Sequence, residues 1–250
     1  MPKLSVTIIT LNEEHNIGRC IDSIIGIADD IVVLDSGSTD RTAEICKSKG
    51  ITPIYALWEN YSVARNNAAL YTQHNWIMAL DADEALSEQL KATLIDVKKN
   101  DELVFCSFKR LTNYCGKWIN HCGWYPDLKI RIYDKTKTNY EGTIHEKLIG
   151  LPQKILFLKG DLLHYSYYTI DEHVRQTNKF TSLTAKAAYD RGEKSGLLYV
   201  LFAPLIKFIK SYFFQLGFLD GYYGFIVCLI SAHATFYKYV KLKFLHQQNH

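Results

Sequence analysis

The sequence predicts an α/β protein with a mostly parallel, Rossmann-like sheet and a helical C-terminal extension. Short apolar runs rich in β-branched residues alternate with segments of helical spacing, which is typical of strand–helix repeats in a parallel sheet. Each of these runs ends in polar residues. The composition, 48% hydrophobic and 22% charged over 250 residues, is sufficient for a sizeable core. We predict a first domain over residues 1–165 and an extension over residues 166–250.

The first half of the chain supplies the repeats in order. Apolar runs at 4–9, 31–34, 53–56 and 76–80 predict four strands, and helical spacing predicts helices over 15–27, 62–71 and 87–98, with another after residue 40. The chain enters its first strand directly, so we expect no signal peptide. In such a sheet the carboxyl ends of the strands form a ligand crevice.

The second half has a different pattern. Residues 103–110 and 127–134 alternate between apolar and polar side chains, which predicts strands, and 161–165 predicts a last short strand. Thr169 and Glu172 match a capping box, so a polar helix is expected from there to about Arg191, ended by Gly192.

Two carboxylates follow the fourth predicted strand. Asp81 and Asp83 are spaced i, i+2, so on an extended strand they point to the same side. Hard carboxylate oxygens at a sheet edge suit Mg²⁺ or Mn²⁺ that is also held by substrate phosphates. The alternative is a strand end followed by an acidic helix start, capped by Ser87 or Asp83.

Composition excludes several other classes of site. The sequence lacks the glycine-rich G-x-G-x-x-G and Walker-type phosphate loops, so an arginine and a metal are expected to hold phosphate. A net charge of +3 does not argue for nucleic acid, and we expect no nucleic-acid partner. The six cysteines form no C-x-x-C pair, which favours reduced thiols over a zinc site.

The tail after residue 197 is dense in Phe, Tyr and Leu and carries five lysines against one acid, Asp220. Aromatics mixed with lysines favour helices that lie in the membrane interface. The longest uncharged run, 221–237, is shorter than the ~20 residues of a usual spanning helix. A packed helical subdomain, a dimer interface and a single span at 221–237 are the alternatives.

Three motifs in order carry a family resemblance: Thr10-Leu11-Asn12-Glu13-Glu14, Asp35-Ser36-Gly37-Ser38-Thr39-Asp40 and Leu80-Asp81-Ala82-Asp83-Glu84. With Ala64-Arg65-Asn66 between the second and the third, the chain resembles glycosyltransferase family 2, whose members are inverting enzymes of the GT-A fold. Gly142-Thr143-Ile144-His145-Glu146 and Gly217-Phe218-Leu219-Asp220-Gly221 are similar to a subgroup, the bacterial lipopolysaccharide-core β-1,4-glucosyltransferases.

The resemblance implies a role for each matching residue. Asp81 and Asp83 would bind the donor diphosphate through Mg²⁺ or Mn²⁺, Asp35 would read the uracil edge, and Arg65 would lie near the nucleotide. The other residues expected at the nucleoside are Thr10, Asn12, Glu13 and Ser38. For Arg65 the alternative is a surface salt bridge, whereas Asp40 is expected to cap the following helix.

The reaction also needs a general base to take a proton from the acceptor hydroxyl. Glu146 is our candidate because its loop follows the second group of strands, on the expected acceptor side, with Glu141 and Asp127 as alternatives. His164 is a candidate metal ligand, since some relatives use a histidine there; a structural histidine is the alternative.

The resemblance implies transfer of a hexose, with glucose from UDP-glucose as the expected donor, to the heptose of the lipopolysaccharide inner core. The expected location is cytoplasmic and peripheral at the inner membrane, where the tail contacts the membrane surface and the acceptor is a lipid-linked saccharide. Three alternatives remain. The first is a glycosyltransferase for another lipid-linked or surface polysaccharide acceptor, such as a polyprenyl phosphate, a subgroup that usually has clear spanning helices. The others are a nucleotidyltransferase and a non-catalytic nucleotide-sugar-binding membrane protein.

Overall fold

A computed structural model describes residues 2–99, 103–142 and 146–248. The chain forms two compact units, one of residues 1–110 with 127–165 and the other of residues 111–126 with 166–250. The predicted α/β class is confirmed, since strands and helices largely alternate over residues 4–98 of the first unit.

Up to residue 98 the chain contains both strands and helices, and from residue 106 to residue 167 its regular elements are strands. The elements are β1 (Leu4–Thr10), α1 (Ile17–Ile24), β2 (Asp30–Asp35), α2 (Thr42–Ser48), β3 (Ile54–Tyr55), α3 (Tyr61–Leu70), β4 (Trp76–Asp81), β5 (Glu84–Leu86), α4 (Glu88–Lys98), β6 (Cys106–Tyr114), β7 (Lys117–Ile119), β8 (Asp127–Asp134), β9 (Tyr140–Glu141), β10 (Lys147–Leu148) and β11 (Leu156–Tyr167).

The main sheet is half parallel and half antiparallel. Across the described residues its strand order is β3-β2-β1-β4-β8-β6-β11-β5, and β7 pairs with the end of β6. The β3-β2-β1-β4 half is parallel, whereas β8 runs antiparallel to β4 and to β6. The antiparallel half explains the alternating pattern after residue 103. An antiparallel strand with one face on the core and the other towards solvent alternates apolar and polar side chains.

The core of the first unit lies between the central strands and helices α1 and α4. The side chains of β1 and β4 are buried, apart from a partly exposed Asp81, which accounts for the continuous apolar runs in the sequence. Gly160 in β11 has φ of +102°, and a Cβ there would overlap the backbone nitrogen of Leu90 in α4. This glycine lets β11 and α4 approach closely.

The second unit is mainly helical. It contains β7, α5 (Ile170–Asp190), α6 (Leu197–Ile209), a π-helical turn (Lys210–Phe214), a 3₁₀ turn (Gly217–Asp220) and α7 (Gly221–Gln248). The predicted capping box is confirmed, because the Thr169 side chain accepts from the Glu172 backbone and the Glu172 side chain accepts from the Thr169 backbone. On α5, His173 is buried and its Nδ1 lies 3.1 Å from the hydroxyl of Tyr114.

The turn between α6 and α7 depends on two glycines. A Cβ on Gly217 would lie 2.6 Å from the Cys228 sulfur, and a Cβ on Gly224 would collide with the Gly217 carbonyl oxygen. Asp220, the last residue of the 3₁₀ turn, ties the turn to residues 120 and 121. Its carboxylate accepts from the backbone N–H groups of Asn120 and His121, at 3.2 and 2.8 Å. The two helices therefore meet as a tight hairpin.

The faces of this hairpin are strongly apolar and exposed. Leu197–Phe214 and Gly217–Gln248 are both long and apolar enough to cross a membrane, judged by length and composition alone. The uncharged run 221–237, which is shorter than a usual span, lies inside α7, and α7 extends from Gly221 to Gln248.

Candidate active site

The loops that follow β1 and β2 are joined by hydrogen bonds. The Asn12 N–H donates to Ser38 Oγ at 2.9 Å, and the Thr39 N–H donates to Asn12 Oδ1 at 2.8 Å. Asp35 Oδ1 accepts from the N–H groups of Gly37 and Ser38 and from the Ser38 hydroxyl, at 3.1, 2.9 and 2.7 Å. One carboxylate oxygen of Asp35 thus shapes the loop, which leaves Oδ2 to accept a hydrogen bond from a ligand.

Thr10 and Asp35 are register partners at the ends of β1 and β2, so the two predicted residues lie side by side. The Thr10 hydroxyl is buried and has no hydrogen-bond partner among the described residues. A buried donor and acceptor without a partner is costly, so this hydroxyl is suited to a ligand or an ordered water.

Glu13 sits beside this loop in an environment that disfavours its charge. Its Oε2 accepts from Asn16 Nδ2 at 2.8 Å. Burial raises its pKa to about 7, and the carboxylates of Asp83, Asp81 and Asp40 add to the rise. Asp40 Oδ1 accepts from the Thr42 N–H at 2.9 Å just before α2, but the N-cap residue of this helix is Arg41, so Asp40 is not the cap that the sequence predicted.

Asp81 ends β4 and is held by two buried arginines. Its Oδ1 lies 2.6 Å from Arg65 Nη2 and its Oδ2 lies 3.0 Å from Arg131 Nη2. Burial alone would raise the pKa of Asp81, but the two guanidinium groups outweigh burial and lower it. Arg65 is only 1% exposed, so the alternative of a surface salt bridge is wrong.

Arg131, on β8, was not singled out from the sequence. It is 4% exposed and its Nη2 also lies 3.0 Å from Glu84 Oε1. Glu84 is itself buried; its Oε2 accepts from the Asp81 N–H at 3.0 Å, and Arg110 Nη1 lies 3.4 Å from its Oε1. The sequence allowed Glu84 to be the acidic start of a helix, but Glu84 belongs to β5. Its carboxylate holds the backbone of Asp81 through the hydrogen bond from the Asp81 N–H.

Asp83 faces a histidine from a distant strand. Its Oδ2 lies 3.1 Å from His164 Nε2 on β11, and both side chains are partly exposed. Burial would lower the pKa of His164, but the Asp83 carboxylate outweighs it and raises that pKa. No group of three or more His, Cys, Asp or Glu side chains placed to hold a metal occurs within the described residues. Any cation at Asp83 and His164 would therefore need further ligands from a bound molecule.

Glu146 lies near Arg65, with 3.8 Å between its Oε1 and Arg65 Nη2, and its side chain is 24% exposed. Helix α3 anchors the chain segment just before it, because Asn66 exchanges two hydrogen bonds with the backbone of Tyr140 and Ser62 donates to the Gly142 carbonyl. Thr143, Ile144 and His145 of the predicted motif lie outside the described residues.

The two alternative bases have different surroundings. Asp127 lies 2.8 Å from Arg110 Nη2 and 3.1 Å from Lys129 Nζ, so its charge is already compensated twice. Glu141 is exposed on the short strand β9. Across the part of the chain that the structure describes, Glu146 is the one of these three acids within ion-pair distance of Arg65, the arginine that also contacts Asp81.

The predicted residues therefore group around the carboxyl ends of β1, β2 and β4. The ends of β1 and β2 offer the Thr10 hydroxyl and the second carboxylate oxygen of Asp35 to a ligand. Near the end of β4 lie the Asp83 carboxylate, the His164 imidazole and the partly exposed Glu146. This combination can bind a polar, phosphate-bearing ligand and accept a proton beside it.

Comparison with known proteins assigns the family. The profile described as "Glycosyl transferase family 2" matches residues 5–156. An uncharacterised glycosyltransferase of Rickettsia typhi is 30% identical over 97% of this chain and 87% of its own. The lipopolysaccharide core biosynthesis glycosyltransferase LpsC of Rhizobium meliloti is 29% identical over 97% of this chain and 93% of its own.

Among solved structures, the glucosyl-3-phosphoglycerate synthase from Mycobacterium tuberculosis in complex with Mn²⁺ and UDP-glucose is 22% identical, with a TM-score of 0.37. That match covers 45% of this chain and 44% of the synthase. The assignment rests on the profile and the full-length relatives instead: the chain belongs to glycosyl transferase family 2 and is a glycosyltransferase.

Proposed function

We propose that the protein transfers a hexose, glucose from UDP-glucose, onto the heptose of the lipopolysaccharide inner core at the cytoplasmic face of the inner membrane. The similarity to LpsC along nearly the whole chain supports this acceptor. The observation that carries the proposal is that one buried arginine, Arg65, contacts both Asp81 and Glu146, at 2.6 and 3.8 Å. The candidate base thereby shares an arginine with Asp81, the carboxylate that ends β4.

In this proposal the loops after β1 and β2 bind the nucleoside. Asp35 Oδ2 accepts the N–H of the uracil edge, and the Thr10 hydroxyl gains the partner that the described residues do not give it. Asn12, Glu13 and Ser38 complete the cradle, since Asn12 and Ser38 fix its shape through their mutual hydrogen bond.

The diphosphate would lie at the end of β4. Asp83 and His164 fit a divalent cation, because a hard carboxylate oxygen with one imidazole nitrogen, completed by phosphate oxygens, suits Mn²⁺ or Mg²⁺. Such a cation, when bound, neutralises charge on the departing diphosphate. The resemblance also implies Asp81 as a ligand of the cation, but both of its oxygens are paired with arginines. We therefore propose that Asp81 orients the donor site through Arg65 and Arg131 instead.

Glu146 takes the proton in a single displacement. The acceptor hydroxyl oxygen attacks the anomeric carbon as the bond to the diphosphate breaks, the hydroxyl proton passes to the Glu146 carboxylate, and UDP leaves. Arg65 Nη2 lies 3.8 Å from that carboxylate and positions it beside the donor site. A general base of this kind typically contributes 10²–10⁴-fold in rate.

Nucleotide release tests the proposal. Purified protein would be assayed with UDP- and GDP-sugars, Mn²⁺ or Mg²⁺, and extracted core lipopolysaccharide. We expect UDP from UDP-glucose only when metal and acceptor are both present. Glu146→Gln should lower kcat by roughly 10²–10⁴, and Asp83→Asn should raise the metal concentration required. Glu141→Gln and Asp127→Asn serve as matched controls, and a loss of kcat confined to either of them would move the base there.

A second acceptor is supported by a separate observation. Leu197–Phe214 and Gly217–Gln248 meet the length and composition of spanning helices, as enzymes acting on polyprenyl phosphates do. A polyprenyl phosphate arm in the same assay separates the two proposals: UDP released with that acceptor and not with core lipopolysaccharide would replace the first.

A further inference from the structure

A groove of about 800 Å³ lies between α6 and α7, inside the second unit. Most of its lining is apolar, with Leu198, Phe202 and Ile206 from α6 and Tyr239 from α7. Ala203 lies in the middle of the lining, and Lys207 and Lys210 lie towards the end of α6. At a rise of 1.5 Å per residue, about 18 Å of helix separates Leu198 from Lys210. The groove thus has a long apolar stretch that ends in two positive charges.

The apolar side chains of the groove are not covered by the protein. Leu198, Phe202 and Ile206 are 70%, 53% and 63% exposed. An exposed apolar surface of this kind marks a binding site for a partner or a membrane. Some apolar molecule is therefore expected to cover the groove.

The charges decide which molecule fits. Neither Lys207 nor Lys210 has a carboxylate within ion-pair distance among the described residues, unlike Lys186 and Lys91, which are paired with Asp190 and Glu88. The tail's one acid, Asp220, is buried and paired with His121. A second copy packed on this face would set lysines against lysines without an acid to compensate them. An anionic amphiphile satisfies the lysines and the apolar lining together.

We propose that this groove binds one anionic phospholipid, with an acyl chain along Leu198, Phe202 and Ile206 and the phosphate on Lys207 and Lys210. The inference rests on the membrane association of the proposed function and deepens it by naming the lipid class. Lysine ammonium groups bind phosphate as point charges, which suits a headgroup that is not held by a rigid bidentate contact.

Vesicle sedimentation provides the first test. The full chain would be mixed with vesicles of phosphatidylcholine alone and with phosphatidylglycerol added. Each lysine near an anionic surface favours binding by about fivefold, so the pair should favour the anionic vesicles by roughly 25-fold. The double variant Lys207→Gln/Lys210→Gln should lose this preference, whereas the control Lys179→Gln, an exposed lysine on α5, should keep it.

Native mass spectrometry in detergent distinguishes a groove from a merely basic surface. Phosphatidylglycerol should bind the wild type at one molecule per chain, and Ala203→Trp, which fills the groove, should abolish that species. If Ala203→Trp binds lipid as the wild type does, or if both vesicle types bind equally, the proposal is overturned. A dimer that Ala203→Trp converts to monomer would instead assign the groove to a second copy.

A water-soluble core oligosaccharide separates this inference from the proposed function. The groove variants should release UDP with that acceptor at the wild-type rate, because Ala203, Lys207 and Lys210 lie outside the catalytic residues. No release by the wild type would refute the proposed function alone, since the lipid binding is measured without turnover.

Discussion

Replacing Arg131 by methionine removes the guanidinium that pairs with both Asp81, at the end of β4, and Glu84, at the start of β5. Arg131 contacts Asp81 and Glu84, each at 3.0 Å, and is only 4% exposed. Methionine has a similar length and leaves an apolar side chain in place of the guanidinium. Of the ion pairs, Glu84 then keeps only the longer one of 3.4 Å to Arg110, and Asp81 keeps only the one to Arg65.

The expected cost follows from burial. Removing one partner of a buried ion pair typically costs 3–5 kcal/mol, because the remaining charge is left without compensation in a low dielectric. Glu84 is fully buried, so we place Arg131→Met at about 3 kcal/mol or more. The matched control is Arg41→Met, whose pair with Glu44 is 70% and 69% exposed and should cost at most about 1 kcal/mol.

Hydrogen exchange of the β4 amides measures the effect locally, with urea unfolding as a global check. The double variant Arg131→Met/Glu84→Gln removes both charges, so it should recover much of the lost stability and give a large coupling energy in a double-mutant cycle. If Arg131→Met costs less than about 1 kcal/mol, or if Glu84→Gln recovers nothing, the network does not hold Asp81 as argued.

Three further predictions concern other sites. The pKa of Glu13 in the folded state is raised from 4.5 to about 7, so ionised Glu13 destabilises the folded protein above pH 7. Glu13→Gln removes that charge and should raise the unfolding free energy at pH 8 by up to about 3 kcal/mol. In urea titrations the gain should vanish below pH 4.5, where Glu13 is protonated in both states. Burial lowers the pKa of His173 from 6.5 to about 4, so the folded state binds the proton more weakly. The wild type should therefore lose up to about 3 kcal/mol relative to His173→Gln as the pH falls from 6.5 to 4, and an equal pH slope in both proteins would contradict this. Gly160→Ala should lower the melting temperature by more than 10 °C, because the added Cβ overlaps the Leu90 backbone and each kcal/mol of lost stability lowers the melting temperature by about 2–4 °C. Gly50→Ala is the control, since Gly50 also has a positive φ but a Cβ there has open space.

Local pattern predicted the parallel half of the sheet and the residues that end its strands. Asp35 and Asp81 follow continuous apolar runs, and parallel strands bring such ends to one edge, so their proximity to Thr10 follows from topology. The capping box at Thr169 was predictable because its two bonds join residues three apart in sequence.

Long-range charge pairing could not be predicted in the same way. Arg131 lies in an alternating strand where a polar residue is expected to face water, and its partner Asp81 is 50 residues away. Glu84 follows two other acids, and nothing local indicates that β5 buries it against Arg131 and Arg110. The strand β5 is three residues long, too short to produce a periodic signal.

The helix α7 is longer than the uncharged run 221–237 that it contains, and the reason is physical. Counting uncharged residues ends a segment at each lysine, but a lysine does not end a helix, and α7 continues through Lys238, Lys241 and Lys243 to Gln248. Lys241 donates to the Asn178 carbonyl and to the Thr181 and Ser182 hydroxyls of α5, which explains how a charge is accommodated inside that helix packing.

The tight turn at Gly217 and Gly224 limits the sequences that can form this hairpin. A Cβ at Gly217 would overlap the Cys228 sulfur, and a Cβ at Gly224 would overlap the Gly217 carbonyl oxygen. The apolar residues of α6 and α7 can therefore vary more freely than these two glycines, because an apolar exchange keeps the character of the helix, whereas any side chain at the glycines must displace the turn from the start of α7.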